Sequence, residues 1–179
     1  MIALGLDVSE KRMGWAAVDW DDQRPLALGV ENLRRKDGGW PEDQVFGAME
    51  TVYAKLRLGG YDRHDVVVVG IEDAYLGPNK LASLRHASVV GMATMAARVV
   101  LGPTVTYWPI PAGTWRNAIG LKPASRKRAD VKAATLVWAT DRMDELDVLP
   151  DKQILSEDEA DALGIATACA LLTVKNEAA

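Results

Sequence analysis

Four carboxylates in this 179-residue chain stand where apolar elements end or begin, not on a solvated face. Asp7 follows the apolar run 2–6, and Glu72 closes the apolar run Val66–Glu72. Both runs read as buried strands, and ligands in open α/β sheets bind beyond the carboxyl ends of strands. Asp158 and Asp161 open a third apolar segment, where Ser156-x-x-Glu159 is a capping box with Ser156 as N-cap. Three residues apart on a helix, the two acids share a face with Ala162, Ile165, Cys169 and Leu172, so they point into the protein body. Each acid alone also has a plainer reading: Asp7 as a turn residue, Glu72 as a solvated strand end, and Asp158 and Asp161 as acids favoured by the helix dipole. That last role suffices for Glu157 and Glu159. Gathered together, four carboxylates would repel, raise one another's pKa and be stabilised by divalent cations.

The ion would be hard. Cys169 is the single cysteine and His64 and His86 the only histidines, so no Cys/His zinc cluster can be assembled and no internal disulfide formed. Oxygen donors suit Mg²⁺, with Mn²⁺ as a substitute. Two such ions, about 3.5–4 Å apart, activate a water and stabilise the leaving oxygen in phosphodiester hydrolysis.

The elements that must position these acids are legible in outline. Strands are expected over 2–6, 13–18 and 26–31, joined by polar turns into an antiparallel meander. Val45, Met49, Val52, Tyr53 and Leu56 recur at helical spacing until Gly59-Gly60 stops them. A strand at 66–72, a helix at 81–101, a strand at 104–110 and helices at 126–138 and 157–174 complete the order βββαβαβαα. This is an α/β chain with a mixed five-stranded sheet flanked by helices and an acidic loop around 141–152. Gly5 and Gly70 lie two residues before Asp7 and Glu72 on the same strand faces, which leaves room beside each carboxylate. The helix at 81–101 is apolar nearly all round with small residues interspersed; deep burial and a symmetric helix–helix contact both account for this.

Length sets one domain, residues 1–179. No apolar run reaches the ~18 residues that span a bilayer, and the amino terminus carries no leader pattern, so a cytoplasmic setting is expected. The net charge of −4 speaks mildly against nucleic acid, but it averages two opposed segments. Residues 111–132 hold six basic residues (Arg116, Lys122, Arg126, Lys127, Arg128 and Lys132) against one acid, whereas residues 141–161 hold nine acids and two bases. Four of those positive charges fall within 122–128, which favours phosphate contact over a merely solvated helix start.

With Leu4-Gly-Leu-Asp7 leading to Gly14, Ile71-Glu-Asp-Ala-Tyr75, and Asp158-Glu-Ala-Asp161-Ala-Leu-Gly-Ile165, the chain resembles the RuvC family of Holliday-junction resolvases in the ribonuclease H-like superfamily. The likeness spans almost the whole chain. It implies that Asp7, Glu72, Asp158 and Asp161 are catalytic acids holding two ions per active site. It also implies a DNA recombination and repair nuclease whose homodimer, formed through the helix around 81–101, makes paired nicks in branched DNA. Tyr75 matches an aromatic beside the junction, where it could stack on a base or simply pack; Lys80 follows it in an exposed loop. Arg116 and Lys127, with neighbours Lys122, Arg126 and Arg128, match the family's basic positions. The family carries a Pro-Gly pair after its first aspartate where Val8-Ser9 stands here, and the divergence is of a kind found in phage members. Three other readings compete. A RuvC-related, YqgF-type nuclease acting on RNA would use the same acids, and a non-catalytic branched-DNA binding protein would keep only the basic loop and the helix. An actin-like sugar kinase needs two such domains.

Overall fold

The computed structural model describes residues 1–33, 41–74, 77–145 and 155–177. β1 (Ile2–Val8), β2 (Arg12–Asp19) and β3 (Pro25–Asn32) form the expected antiparallel meander, in which Asp7 pairs with Gly14. β4 (Val66–Glu72) lies parallel to β1 on its other side and β5 (Thr106–Ile110) parallel to β4, giving a mixed sheet in the order β3-β2-β1-β4-β5. The central place of β1 explains its burial at every residue but Asp7, which is partly exposed.

α1 (Pro41–Leu58) and α2 (Lys80–Leu101) cover one face of this sheet. There Leu4, Leu6, Met49, Val52, Ile71 and Ala93 belong to one apolar cluster. α3 (Ala112–Ala118), α4 (Arg128–Glu145) and α5 (Glu157–Glu177) cover the other, where Ala3, Val68, Trp115, Met143 and Ala166 belong to the second. Among the described residues no helix is long and apolar enough to cross a membrane.

Three local differences from the sequence expectation have physical reasons. α3 was not anticipated: Gly113 and Thr114 weaken its helix signal, and what holds it is the burial of Trp115, with Ala118 and Ile119 packed at the next helical positions. α4 runs to Glu145 instead of ending at Trp138, because Thr135, Ala139 and Met143 continue a buried row at four-residue spacing. The segment read as an acidic loop therefore begins inside that helix, and its remainder, 146–154, lies outside the described residues.

The glycines are the third difference. A Cβ on Gly5 would sit 2.2 Å from the Ala162 carbonyl oxygen, one on Gly14 2.2 Å from that of Asp158, and one on Gly70 2.2 Å from Cys169 Sγ. These glycines leave no open room beside the carboxylates; the backbone and side chains of α5 fill it. We predict that Gly5→Ala costs at least about 3 kcal/mol in urea denaturation, since the backbone atoms it meets cannot move aside. Gly47→Ala in α1, with nothing within 4 Å, serves as control and should gain about 0.5–1 kcal/mol.

Candidate active site

Helix α5 meets the sheet along two rows of residues four apart. Asp158, Ala162 and Ala166 lie over Gly14 and Gly5, while Ile165 and Cys169, continuing the row from Asp161, lie over Gly70. Asp158 is thereby set at the β2 side and Asp161 towards β4. The helix start is fixed by the capping box: Glu159 N donates to Ser156 Oγ at 3.2 Å, and Ser156 N donates to Glu159 Oε2 at 2.8 Å. Glu159 is thus more than a dipole acid; it accepts from both the backbone and the hydroxyl of Ser156.

On the sheet, Leu6 pairs with Ile71, and one residue further along each strand stand Asp7 and Glu72. Burial, then repulsion from Asp161, Glu72 and Asp158, holds the Asp7 carboxyl well above the ordinary carboxylate range, with Lys132 pulling the other way. Asp161 is pushed up to about 6, by burial first and then by Glu72, against Lys132 and Arg116, with Asp158 adding a smaller push. The four sequence-predicted acids thus feel one another at the carboxyl ends of β1 and β4, where α5 begins.

Each of the other two acids has a partner on the protein. Trp115 Nε1 donates to Glu72 Oε2 at 2.8 Å, and Arg116 lies 4.0 Å from the same oxygen with its guanidinium over the Trp115 ring. Gly164 makes this possible, since a Cβ there would stand 2.6 Å from the indole. Arg12 Nε lies 2.9 Å from Asp158 Oδ2. Lys132 contacts Glu157 and keeps that carboxyl below its usual range.

Trp115, Arg12 and Lys132 were not among the sequence candidates. Lys132 lay inside the basic segment, and the Trp115–Ala118–Ile119 spacing was a usable signal for a buried Trp. Arg12 carried none, because its approach to Asp158 depends on a turn. Ser9 clasps that turn where the family has Pro-Gly: its Oγ donates to the Arg12 carbonyl at 2.9 Å and accepts from Arg12 N at 3.1 Å.

The remaining basic candidates are placed less centrally. Lys122, Arg126 and Lys127 are exposed on the connection between α3 and α4, and Arg128 is exposed where α4 starts, close enough to Glu157 to lower its pKa. Lys80 is exposed at the start of α2. Tyr75 lies outside the described residues.

This arrangement has solved counterparts. Thermus thermophilus RuvC in complex with a Holliday junction substrate superposes with a TM-score of 0.67 at 14% identity, over 98% of this chain and 96% of that one. Another T. thermophilus RuvC structure gives 0.67 at 18% identity, over 98% and 97%. The fowlpox virus Holliday junction resolvase gives 0.57 at 13% identity over the whole of both chains. The chain has a RuvC-type resolvase fold. No protein-family model matches it, and no curated protein matches it by sequence. The expected mixed five-stranded α/β sheet flanked by helices is therefore the observed one, and the fold likeness to RuvC extends along nearly the full chain.

Among the described residues, no three acidic, His or Cys side chains are gathered closely enough to hold an ion as they stand. The chemistry nevertheless fits a hard dication: four carboxylates influence one another electrostatically at buried and partly buried positions, and Asp158 Oδ2 is buried without a hydrogen-bond donor.

Because Asp7 is buried among like charges, Asp7→Asn should raise the melting temperature of the chelator-treated protein at pH 7.5 by several degrees. Calorimetry with added Mg²⁺ should stabilise the wild-type chain and leave the variant almost unmoved. A variant that melts lower than wild type in chelator would contradict the repulsion.

Proposed function

We propose that this chain is a divalent-metal-dependent endonuclease that resolves four-way DNA junctions. The observation that carries this reading is the convergence of Asp7, Glu72, Asp158 and Asp161 at the strand ends of a RuvC-type fold. When bound, two Mg²⁺ or Mn²⁺ ions supply Lewis-acid activation of water and charge stabilisation at the leaving oxygen. The residues of the chain do the rest. Asp7 and Glu72 on the strands and Asp158 and Asp161 at the start of α5 would hold the ions. Trp115 holds one oxygen of Glu72 so that the other is free to turn to the ion. Arg116 and Lys132 temper the negative potential at which a phosphate must arrive.

Two surfaces support a branched substrate. The exposed cations Lys122, Arg126, Lys127 and Arg128, of which Arg128 lies near Glu157 at the start of α5, would take DNA phosphates, with Lys80 and Tyr75 contributing from the segment after β4. On α2, Leu81, Leu84, Met95 and Val99 are 57–65% exposed, and the exposed Ser88 and Gly91 lie between them at three- and four-residue spacing. That stripe would pair with its copy across a two-fold axis, giving a homodimer that sets two sites on two strands. Its bland alternative, burial against this chain's own sheet, is met by the opposite face of α2.

Cleavage of a labelled four-way junction, fork, flap, linear duplex, structured RNA and RNA–DNA hybrid, each with Mg²⁺ and with Mn²⁺, tests the reading. The junction should be cut best, and Asp7→Asn or Asp161→Asn should lower the rate at least about 10³-fold. Preferred cutting of RNA would point to the YqgF-type activity, and binding without cutting in either metal to a non-catalytic protein.

Two further outcomes check the surfaces. Leu84→Glu combined with Met95→Glu should sediment as a monomer and make single nicks in place of paired ones. Neutralising Arg126, Lys127 and Arg128 together should flatten the slope of junction binding against salt by about 2 to 3; an unchanged slope removes the loop from the interface.

A further inference from the structure

The turn between β1 and β2 places a cation on one of the four acids. Ser9 fixes the backbone of Arg12 through three bonds: Ser9 N and Ser9 Oγ both donate to the Arg12 carbonyl at 2.9 Å, and Arg12 N donates to Ser9 Oγ at 3.1 Å. Arg12 lies two residues before Gly14 on β2, hence on the face that Gly14 opens to Asp158. Its guanidinium then reaches Asp158 Oδ2 at 2.9 Å, with the Arg12 side chain 54% exposed and that of Asp158 18% exposed. The N–H is not aligned for a hydrogen bond, and Oδ2 has no other donor. The contact is therefore one of charge with little directional bonding, which can be exchanged without breaking a specific geometry.

We propose that Arg12 is a displaceable counter-ion of the acidic site: it occupies Asp158 in the metal-free protein and competes there with the divalent cation. The inference rests on the reading of the four acids as ion ligands. Glu72 keeps its Trp115 partner through a single oxygen and has a second oxygen to offer, whereas the buried oxygen of Asp158 is the one Arg12 faces. An ion that takes Asp158 Oδ2 must move the guanidinium first. An ion held by Asp7 and Asp161 need not, so the two ion positions differ in affinity because of a residue that is not itself a ligand. Once displaced, Arg12 stands exposed at the rim of the site, and a DNA phosphate offers it a replacement anion.

Calorimetric titration with Mn²⁺ alone, at neutral pH and without DNA, tests this. The component of binding abolished by Asp158→Asn should be about tenfold tighter in Arg12→Gln than in the wild type. Arg12→Lys, which keeps the charge, should stay close to wild type, and so should Lys127→Gln, which removes a charge from the exposed loop. In an Asp158→Asn background, Arg12→Gln should change nothing. Equal or weaker Mn²⁺ binding by Arg12→Gln overturns the proposal, as does the same tightening when Asp158 is absent. If neither the wild type nor any variant binds Mn²⁺, the ion-binding reading itself falls. Melting curves confirm that each exposed-site variant is folded.

Discussion

Everything in the site depends on how closely α5 approaches the sheet. A helix packed on side chains stands about 10 Å from a sheet, and acids at its start would lie too far above the strand ends to share an ion with acids on the strands. Here Gly5, Gly14 and Gly70 remove the side chains that would separate them, and alanines at 162 and 166 do the same from the helix. Close approach costs conformational entropy at three strand glycines and sacrifices apolar burial at the centre of the sheet. What it gains is position: the first turn of α5 is lowered onto the ends of β1 and β4, and two carboxylates on strands meet two on a helix.

Gathering like charges is itself destabilising, and the structure manages this with cations at different depths. Burial and mutual repulsion push Asp7 and Asp161 upward. Lys132 and Arg116 oppose that push from α4 and α3, and Arg12 meets Asp158 from β2. These cations offset part of the acidic charge at the place where the proposed divalent ions would bind. This is the trade expected of a functional site, in which local stability is given up for chemistry. The same charges reconcile an acidic chain with the proposed nucleic-acid partner, since the net charge of −4 says little about the potential where a phosphate would sit.

Much of this was legible in the sequence because the relevant signals are local. Short apolar runs ending in a single acid located β1 and β4, and Ser156-x-x-Glu159 located the start of α5 to the residue. The antiparallel meander followed from its polar turns, and the mixed sheet from the helices between later strands. What the sequence hid is tertiary. A glycine on a strand does not reveal whether it opens a cavity or admits a helix, and here it admits one. Nothing in the sequence shows that a buried α3 turns the Trp115 N–H onto Glu72. Arg12 was invisible because its role arises from the shape of a four-residue turn.

The central claim is that α5 docking on glycines builds one cation-binding centre from Asp7, Glu72, Asp158 and Asp161. A crystal soaked in Mn²⁺ and measured at the manganese absorption edge tests it most directly. Anomalous peaks should appear within about 2.0–2.4 Å of carboxylate oxygens from both the strand pair and the helix pair, with Asp7 beside more than one of them. Manganese bound elsewhere with none at these four residues, or held by the strand acids while Asp158 and Asp161 point away, would contradict the account.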